Sequence, residues 1–110
     1  MSSPNDDQTR NVAILENELR DLLAGMNAWE DPYTEFYTRG VTGNRTDAFS
    51  CVITNYLTAN LDGAEVVTSQ FGVQAYTSLL PTDLLPIGRK LLDFLDDFDN
   101  GYFPELETTV

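Results

Sequence analysis

Apolar residues recur every three or four positions over most of this chain, the spacing of amphipathic helices. The clearest example covers residues 12–26, where the spacing is regular and additional apolar residues widen the stripe. The stripe consists of Val12, Ile14, Leu15, Leu19, Leu22, Leu23 and Met26. Gly25 and Asn27 mark the end of this helix. The pattern predicts packing against the domain's own core, with a homodimer through the 12–26 helix as the alternative.

A second helix is predicted after Thr46 and Asp47, either of which can cap its N-terminus. Its apolar face consists of Phe49, Val52, Ile53, Tyr56, Leu57 and Leu61. Asp62 and Gly63 then end the helix. Between the two helices, Asp31-Pro32 can open a short helical turn, with Pro32 in its first position. The glycine-containing stretch that follows, up to Arg45, is typical of a loop.

The last predicted helix begins after Thr82 or Asp83 and ends at Asn100-Gly101. Its apolar stripe consists of Leu84, Ile87, Leu91, Phe94 and Phe98. Pro86 fits the first turn of a helix, where its missing N–H is tolerated.

Residues 64–80 carry a weaker pattern. Their helically spaced apolar residues are Val66, Val73, Tyr76 and Leu80. Ser69 places a hydroxyl on that stripe, and the interior Gly72 also permits a strand, as do the adjacent valines 66 and 67. We predict a helix here, with a strand as the alternative. The expected fold class is therefore all-α, either a small four-helix bundle or an irregular helical domain.

The bulk composition predicts a single domain over residues 1–110, with flexible tails at 1–7 and 104–110. Hydrophobic residues make up 42% of the chain, which argues against intrinsic disorder despite the charge. The residues predicted to be buried together are Leu15, Leu19, Leu22, Val52, Ile53, Tyr56, Leu91, Phe94 and Phe98.

Charge changes this picture, because the chain carries 18 acids against 6 bases and a formal net charge of −12. Four of the acids, Asp93, Asp96, Asp97 and Asp99, lie at the C-terminal end of the last predicted helix. A helix C-terminus has a partial negative charge, so each acid there is unfavourable by roughly 0.3–1 kcal/mol. Charge placed against this local preference indicates either a binding partner or an unusual solvent.

The same acidity excludes several classes of function. Phosphate backbones and anionic membranes both require basic surfaces, so we expect neither direct nucleic-acid binding nor membrane binding. The chain has no histidine and one cysteine, Cys51, which removes histidine-based nucleophile pairs and most zinc or iron sites. We expect no catalysis, no metal and no cofactor. No apolar run approaches the length of a membrane span, and the N-terminus lacks the features of a signal peptide, so a cytoplasmic protein is expected.

The leading functional hypothesis is an inhibitor that imitates nucleic acid and blocks the basic groove of a DNA- or RNA-handling protein. Small size, strong acidity and the lack of catalytic residues suit phage or plasmid proteins that counter host defence. The partner-binding residues in this hypothesis are Asp93, Asp96, Asp97, Asp99, Glu105 and Glu107.

Two alternatives remain open. The protein could be an immunity, adaptor or assembly protein that binds through an aromatic surface, because aromatic residues dominate interface hot spots. That surface would comprise Trp29, Tyr33, Phe36 and Tyr37. The acidity could instead be an adaptation that keeps the domain soluble in the concentrated salt of a halophile.

Overall fold

Four α-helices and one β-hairpin make up the fold in a computed structural model, which describes residues 4–61, 64–76 and 80–108, with side chains from residue 12 onward. The elements in chain order are α1 (Pro4–Asn27), α2 (Pro32–Arg39), α3 (Val52–Asn60), β1 (Glu65–Ser69), β2 (Gly72–Tyr76) and α4 (Arg89–Asp99). A short 3-10 turn, Pro104–Leu106, follows α4. The hairpin packs against α3 and α1, while α4 packs against α2 and α1.

The predicted all-α fold, whether four-helix bundle or irregular helical domain, is wrong, because β1 and β2 form an antiparallel hairpin. Val66 pairs with Ala75 and Thr68 pairs with Val73. All four side chains are buried, so burial follows the two-residue period of a strand. The strand alternative for residues 64–80 therefore describes this segment, although 77–79 lie outside the described residues.

The serine that weakened the helical pattern contributes to the hairpin turn. The Ser69 hydroxyl accepts a hydrogen bond from the Phe71 N–H at 3.2 Å. Gly72 follows with φ +142°, and a Cβ at this position would lie 2.4 Å from the Leu85 carbonyl oxygen. Glycine is needed here because any side chain would collide with the neighbouring backbone.

The last helix begins at Arg89, five residues after the predicted Leu84, because the preceding segment pairs with the hairpin. Leu85 and Val73 exchange two backbone hydrogen bonds of 2.8 Å. Leu85 also precedes Pro86, and a residue before proline disfavours the helical conformation. Leu84 is consequently 50% exposed rather than part of a buried stripe.

The third helix also begins later than predicted, at Val52, with Cys51 as its N-cap. The Cys51 sulfur accepts from the Thr54 N–H at 3.4 Å. Thr46, a predicted cap, instead adopts a left-handed backbone with φ 57°. Phe49 falls in the loop before the helix and is 74% exposed. The predicted stop at 62–63 lies outside the described residues.

The predicted core is confirmed in its main members. Leu19, Val52, Ile53, Leu91, Phe94 and Phe98 are buried in one cluster, and Leu15, Leu22 and Tyr56 are partly buried against it. Leu19, Leu23 and Met26 of the α1 stripe face this core. The apolar face of 12–26 is therefore used largely within the domain, and a homodimer through it stays a prediction.

The predicted tails are partly built into the domain. Helix α1 already begins at Pro4, within the 1–7 segment. In the 104–110 segment, Leu106 is 1% exposed, and its carbonyl accepts from the Gly43 N–H at 2.9 Å. The Thr108 N–H in turn donates to the Gly43 carbonyl at 2.9 Å. The chain returns to the body here because Leu106 is apolar and fills the core. Residues 1–3 and 109–110 lie outside the described ranges.

Candidate protein-binding surface

Helix α4 separates its apolar and acidic residues onto different faces. Leu91, Phe94, Leu95 and Phe98 are buried in the core. Residues three positions apart are neighbours on a helix surface, so Asp96 lies beside both Asp93 and Asp99, and all three line one cleft. Because the apolar stripe faces inward, this acidic side is left at the surface. The α4 acids are thus arranged by the same periodicity that buries the helix.

A cleft of about 500 Å³ runs along this acidic face, between α4, the loop before α3 and the end of the hairpin. Its charged lining consists of Asp47, Arg89, Asp93, Asp96 and Asp99. Four carboxylates and one guanidinium leave a formal charge of −3 in the cleft. Its apolar lining comes from Ala48, Cys51, Leu92 and Leu95. The cleft therefore suits a cationic group that also carries apolar surface.

The cleft carboxylates differ in their partners. Asp93 forms an exposed ion pair with Arg89 at 3.2 Å, one helical turn earlier. Asp99 accepts a hydrogen bond from the Thr46 N–H at 2.8 Å. Within the described residues, the Asp96 carboxylate has neither a hydrogen-bond partner nor an ion-pair partner. Asp96 is thus the cleft acid that is most available to an external cation.

Asp47 is the fourth acid of the cleft, and local hydrogen bonds hold it ionised. The Ser50 hydroxyl lowers the pKa of this carboxyl most strongly, and the Phe49 N–H, which donates to Oδ1 at 2.9 Å, lowers it further. Desolvation by neighbouring groups raises the pKa and is outweighed, since Asp47 is exposed. Hydrogen bonds to the charged form favour it, so Asp47 adds a dependable negative charge.

The remaining predicted acids lie elsewhere. Asp97 is exposed but is not part of the cleft, because one residue along a helix rotates the side chain by about 100°. Glu107 forms an ion pair with Arg45 at 3.0 Å. Glu105 lies beside Tyr33, whose pKa is raised first by burial and then by this carboxylate. The structure therefore brings Asp93, Asp96 and Asp99 together and separates the other three.

The predicted aromatic surface is also divided. Phe36 is fully buried, and Trp29 packs edge-on against it with ring centroids 5.2 Å apart. Arg39 covers the Trp29 ring at 5.2 Å from its centroid. Tyr33 is partly buried and stacks on Tyr37, which is 58% exposed. Tyr37 is therefore the member of this group that offers most of its ring to a partner.

Sequence reasoning did not find Asp47 or Arg89 as members of the cleft. The local sequence indicates a helix cap at Asp47, and only the packing of its loop beside α4 places it in the same cleft as Asp96. Arg89 is identifiable in principle, since it lies four residues before Asp93 and such pairs meet on a helix surface.

Among the described residues, no group of three or more potential ligands is arranged to hold a metal ion. None of the described helices combines the length and the hydrophobicity that crossing a bilayer requires. Comparison with protein-family models, curated proteins and solved structures finds no match for this chain.

Proposed function

We propose that this protein is a non-catalytic inhibitor that binds the basic, nucleic-acid-binding groove of a partner protein. The aspartates of α4 take the place of phosphates in that groove. The observation that carries the proposal is that Asp93, Asp96 and Asp99 line one cleft along α4. In this proposal the acidic face excludes the partner's own nucleic acid.

The spacing of these acids supports the comparison with a phosphate backbone. A helix rises about 1.5 Å per residue, so Asp93, Asp96 and Asp99 follow one another at about 4.5 Å along the axis. One strand of B-DNA carries a phosphate every 3.4 Å or so along its axis. The two charge densities are similar, so Arg and Lys side chains that bind phosphates can reach carboxylates at this spacing.

The electrostatics of the whole chain support the same proposal. A net charge of −12 on 110 residues repels nucleic acid and attracts basic proteins over the distance of a Debye length, about 8 Å at physiological ionic strength. Steering of this kind raises association rates and makes binding sensitive to salt. We also propose that the protein acts in the cytoplasm, where proteins that handle DNA and RNA work, and that phage or plasmid anti-defence is its setting.

The test compares capture of proteins by the wild type and by charge variants, from the native host and from its target cell. The quadruple variant D93N/D96N/D97N/D99N removes the α4 acids. A matched control, E18Q/D21N/E30Q/E65Q, removes the same charge from exposed acids elsewhere. We expect the wild type and the control to capture DNA- or RNA-binding proteins, which duplex DNA or RNA then releases. The α4 variant should lose them.

Two results would overturn the proposal. One is capture of the same proteins by the quadruple α4 variant at full strength. The other is a captured complex that nucleic acid does not dissociate. If Tyr37→Ala abolishes capture while the α4 variant retains it, the aromatic surface is the binding site and the protein belongs with adaptor or immunity proteins.

A measurement on the isolated protein distinguishes adaptation to concentrated salt from the proposed inhibitory function. A halophilic domain needs molar salt to fold, because its carboxylates repel one another in dilute buffer. Under the proposed function, the protein unfolds cooperatively in buffer of low ionic strength. Loss of the folded state in dilute buffer, with recovery in molar potassium chloride, would favour the halophile instead.

A further inference from the structure

The loop that closes one side of the cleft adopts a conformation that its own sequence disfavours. Thr46 has a backbone φ of 57°, in the left-handed region. Few non-glycine residues adopt this region, and a β-branched residue there is a genuine outlier. Such a conformation persists only where surrounding contacts enforce it. Contacts from outside the loop therefore hold Thr46 in this conformation.

Asp99 supplies one of these contacts from the end of α4. Its carboxylate accepts the Thr46 N–H at 2.8 Å, across 53 residues of sequence. A hydrogen bond to a charged acceptor is about twice as strong as a neutral one. This bond ties the backbone of the loop to the C-terminal end of α4, at the residue that is in the left-handed region.

Arg45, the residue before Thr46, makes the second contact that holds the loop. Its guanidinium pairs with Glu107 at 3.0 Å and lies so close to Gly101 that a Cβ there would be 2.6 Å from Nη1. Two adjacent residues of the loop are therefore held in place: Arg45 through its side chain and Thr46 through its backbone N–H. Asp47, the next residue, lines the cleft.

We propose that Asp99 is a positioning residue, whose bond to Thr46 holds Asp47 in the cleft. The binding role of the cleft rests on the proposed function, whereas the role of Asp99 in holding the loop does not. In this assignment, Asp93 and Asp96 contact the partner's cations directly. Asp99, besides adding its own charge, keeps a fourth carboxylate, Asp47, on the opposite wall, and Glu107 assists through Arg45.

Two variants of Asp99 distinguish its hydrogen bond to Thr46 from the negative charge that it adds to the cleft. Asp99→Asn removes the charge but keeps a side-chain oxygen that can accept the Thr46 N–H. Asp99→Ala removes the same charge and the acceptor as well. The matched pair is Asp96→Asn and Asp96→Ala, because the Asp96 carboxylate has no partner among the described residues. The readouts are amide hydrogen exchange at Thr46 in the free protein and affinity for a tetra-arginine peptide at low ionic strength.

We expect Asp99→Ala to speed exchange at Thr46 by tenfold or more, because the charge-assisted hydrogen bond that protects the Thr46 N–H is lost. Asp99→Asn should retain most of the protection, and both Asp96 variants should leave Thr46 unchanged. For the peptide, the two Asp96 variants should bind equally weakly. Asp99→Ala should bind several-fold more weakly than Asp99→Asn, since it also releases Asp47.

Equal exchange at Thr46 in the two Asp99 variants would overturn the positioning role. Faster exchange in Asp99→Ala with no difference in peptide affinity would show that the loop does not serve the cleft, and would overturn the inference as well. The proposed function fails differently. If neither Asp93→Asn nor Asp96→Asn weakens peptide binding, the acidic face is not the binding surface, whatever Thr46 does.

Discussion

Thr54 and Thr68 join α3 to β1 through a buried hydrogen bond of 2.8 Å between their side-chain oxygens. Both residues are nearly inaccessible, at 1% and 3% exposure. The Thr54 oxygen also lies 2.8 Å from the Ala48 carbonyl oxygen, so one buried network connects the helix, the strand and the loop before α3. This network fixes the hairpin in the place where a helix was expected.

Substitution of Thr54 tests that network. Thr54→Val keeps the shape but leaves the Thr68 hydroxyl and the Ala48 carbonyl without this partner, so we expect a loss of about 1–3 kcal/mol in the free energy of unfolding. Thr54→Ser keeps the hydroxyl and should lose less. Denaturant unfolding measures both. A stable Thr54→Val protein would show that the network is dispensable.

The hairpin turn gives a second prediction, with a control in the same chain. Gly72→Ala should be severely destabilising, since a Cβ there would be 2.4 Å from the Leu85 oxygen and φ is +142°. Gly25→Ala has the opposite expectation. No described residue lies within 4 Å of a Cβ at Gly25, which is exposed in α1, so alanine should stabilise by about 0.5–1 kcal/mol. Thermal unfolding of the two variants should shift in opposite directions.

Asp47 makes stability depend on pH in the acid range. Its pKa in the folded protein is lowered from the ordinary 3.8, mainly by the Ser50 hydroxyl. Folding therefore favours the charged form of Asp47. The stability that this charged form contributes is fully present above pH 3.8, and it is lost as the pH falls through the lower pKa of the folded protein. Carboxylate NMR titration measures the shift. Ser50→Ala should move the pKa of Asp47 back towards normal, and an unchanged value would refute the assigned cause.

The acids at the end of α4 give a prediction about stability without binding. Asp97 is exposed in the last turn, and that turn contains no basic residue. Asp97→Asn should stabilise by roughly 0.3–1 kcal/mol at low ionic strength, because it removes repulsion with the helix C-terminus. The gain should shrink in salt. Asp93→Asn is the comparison: it also loses the exposed Arg89 pair, so its net effect should be small.

Several features of this protein follow from local sequence alone. The stripe of α1, the core positions of α3 and the faces of α4 are periodic, and periodicity requires no knowledge of distant residues. The placement of Asp96 beside both Asp93 and Asp99 follows from the same rule. Strong helical spacing therefore predicted the central residues of both the core and the candidate surface.

Only the tertiary structure decided the hairpin, the late starts of α3 and α4, and the completed cleft. The local pattern of residues 64–80 favoured a helix and permitted a strand, and the strand forms because it buries Val66 and Thr68 against α3. Asp47 reaches the cleft because Asp99 holds Thr46, a contact across 53 residues that no local pattern encodes. Local periodicity determines which face of an element is apolar, whereas long-range packing decides what that face meets and which acids come together.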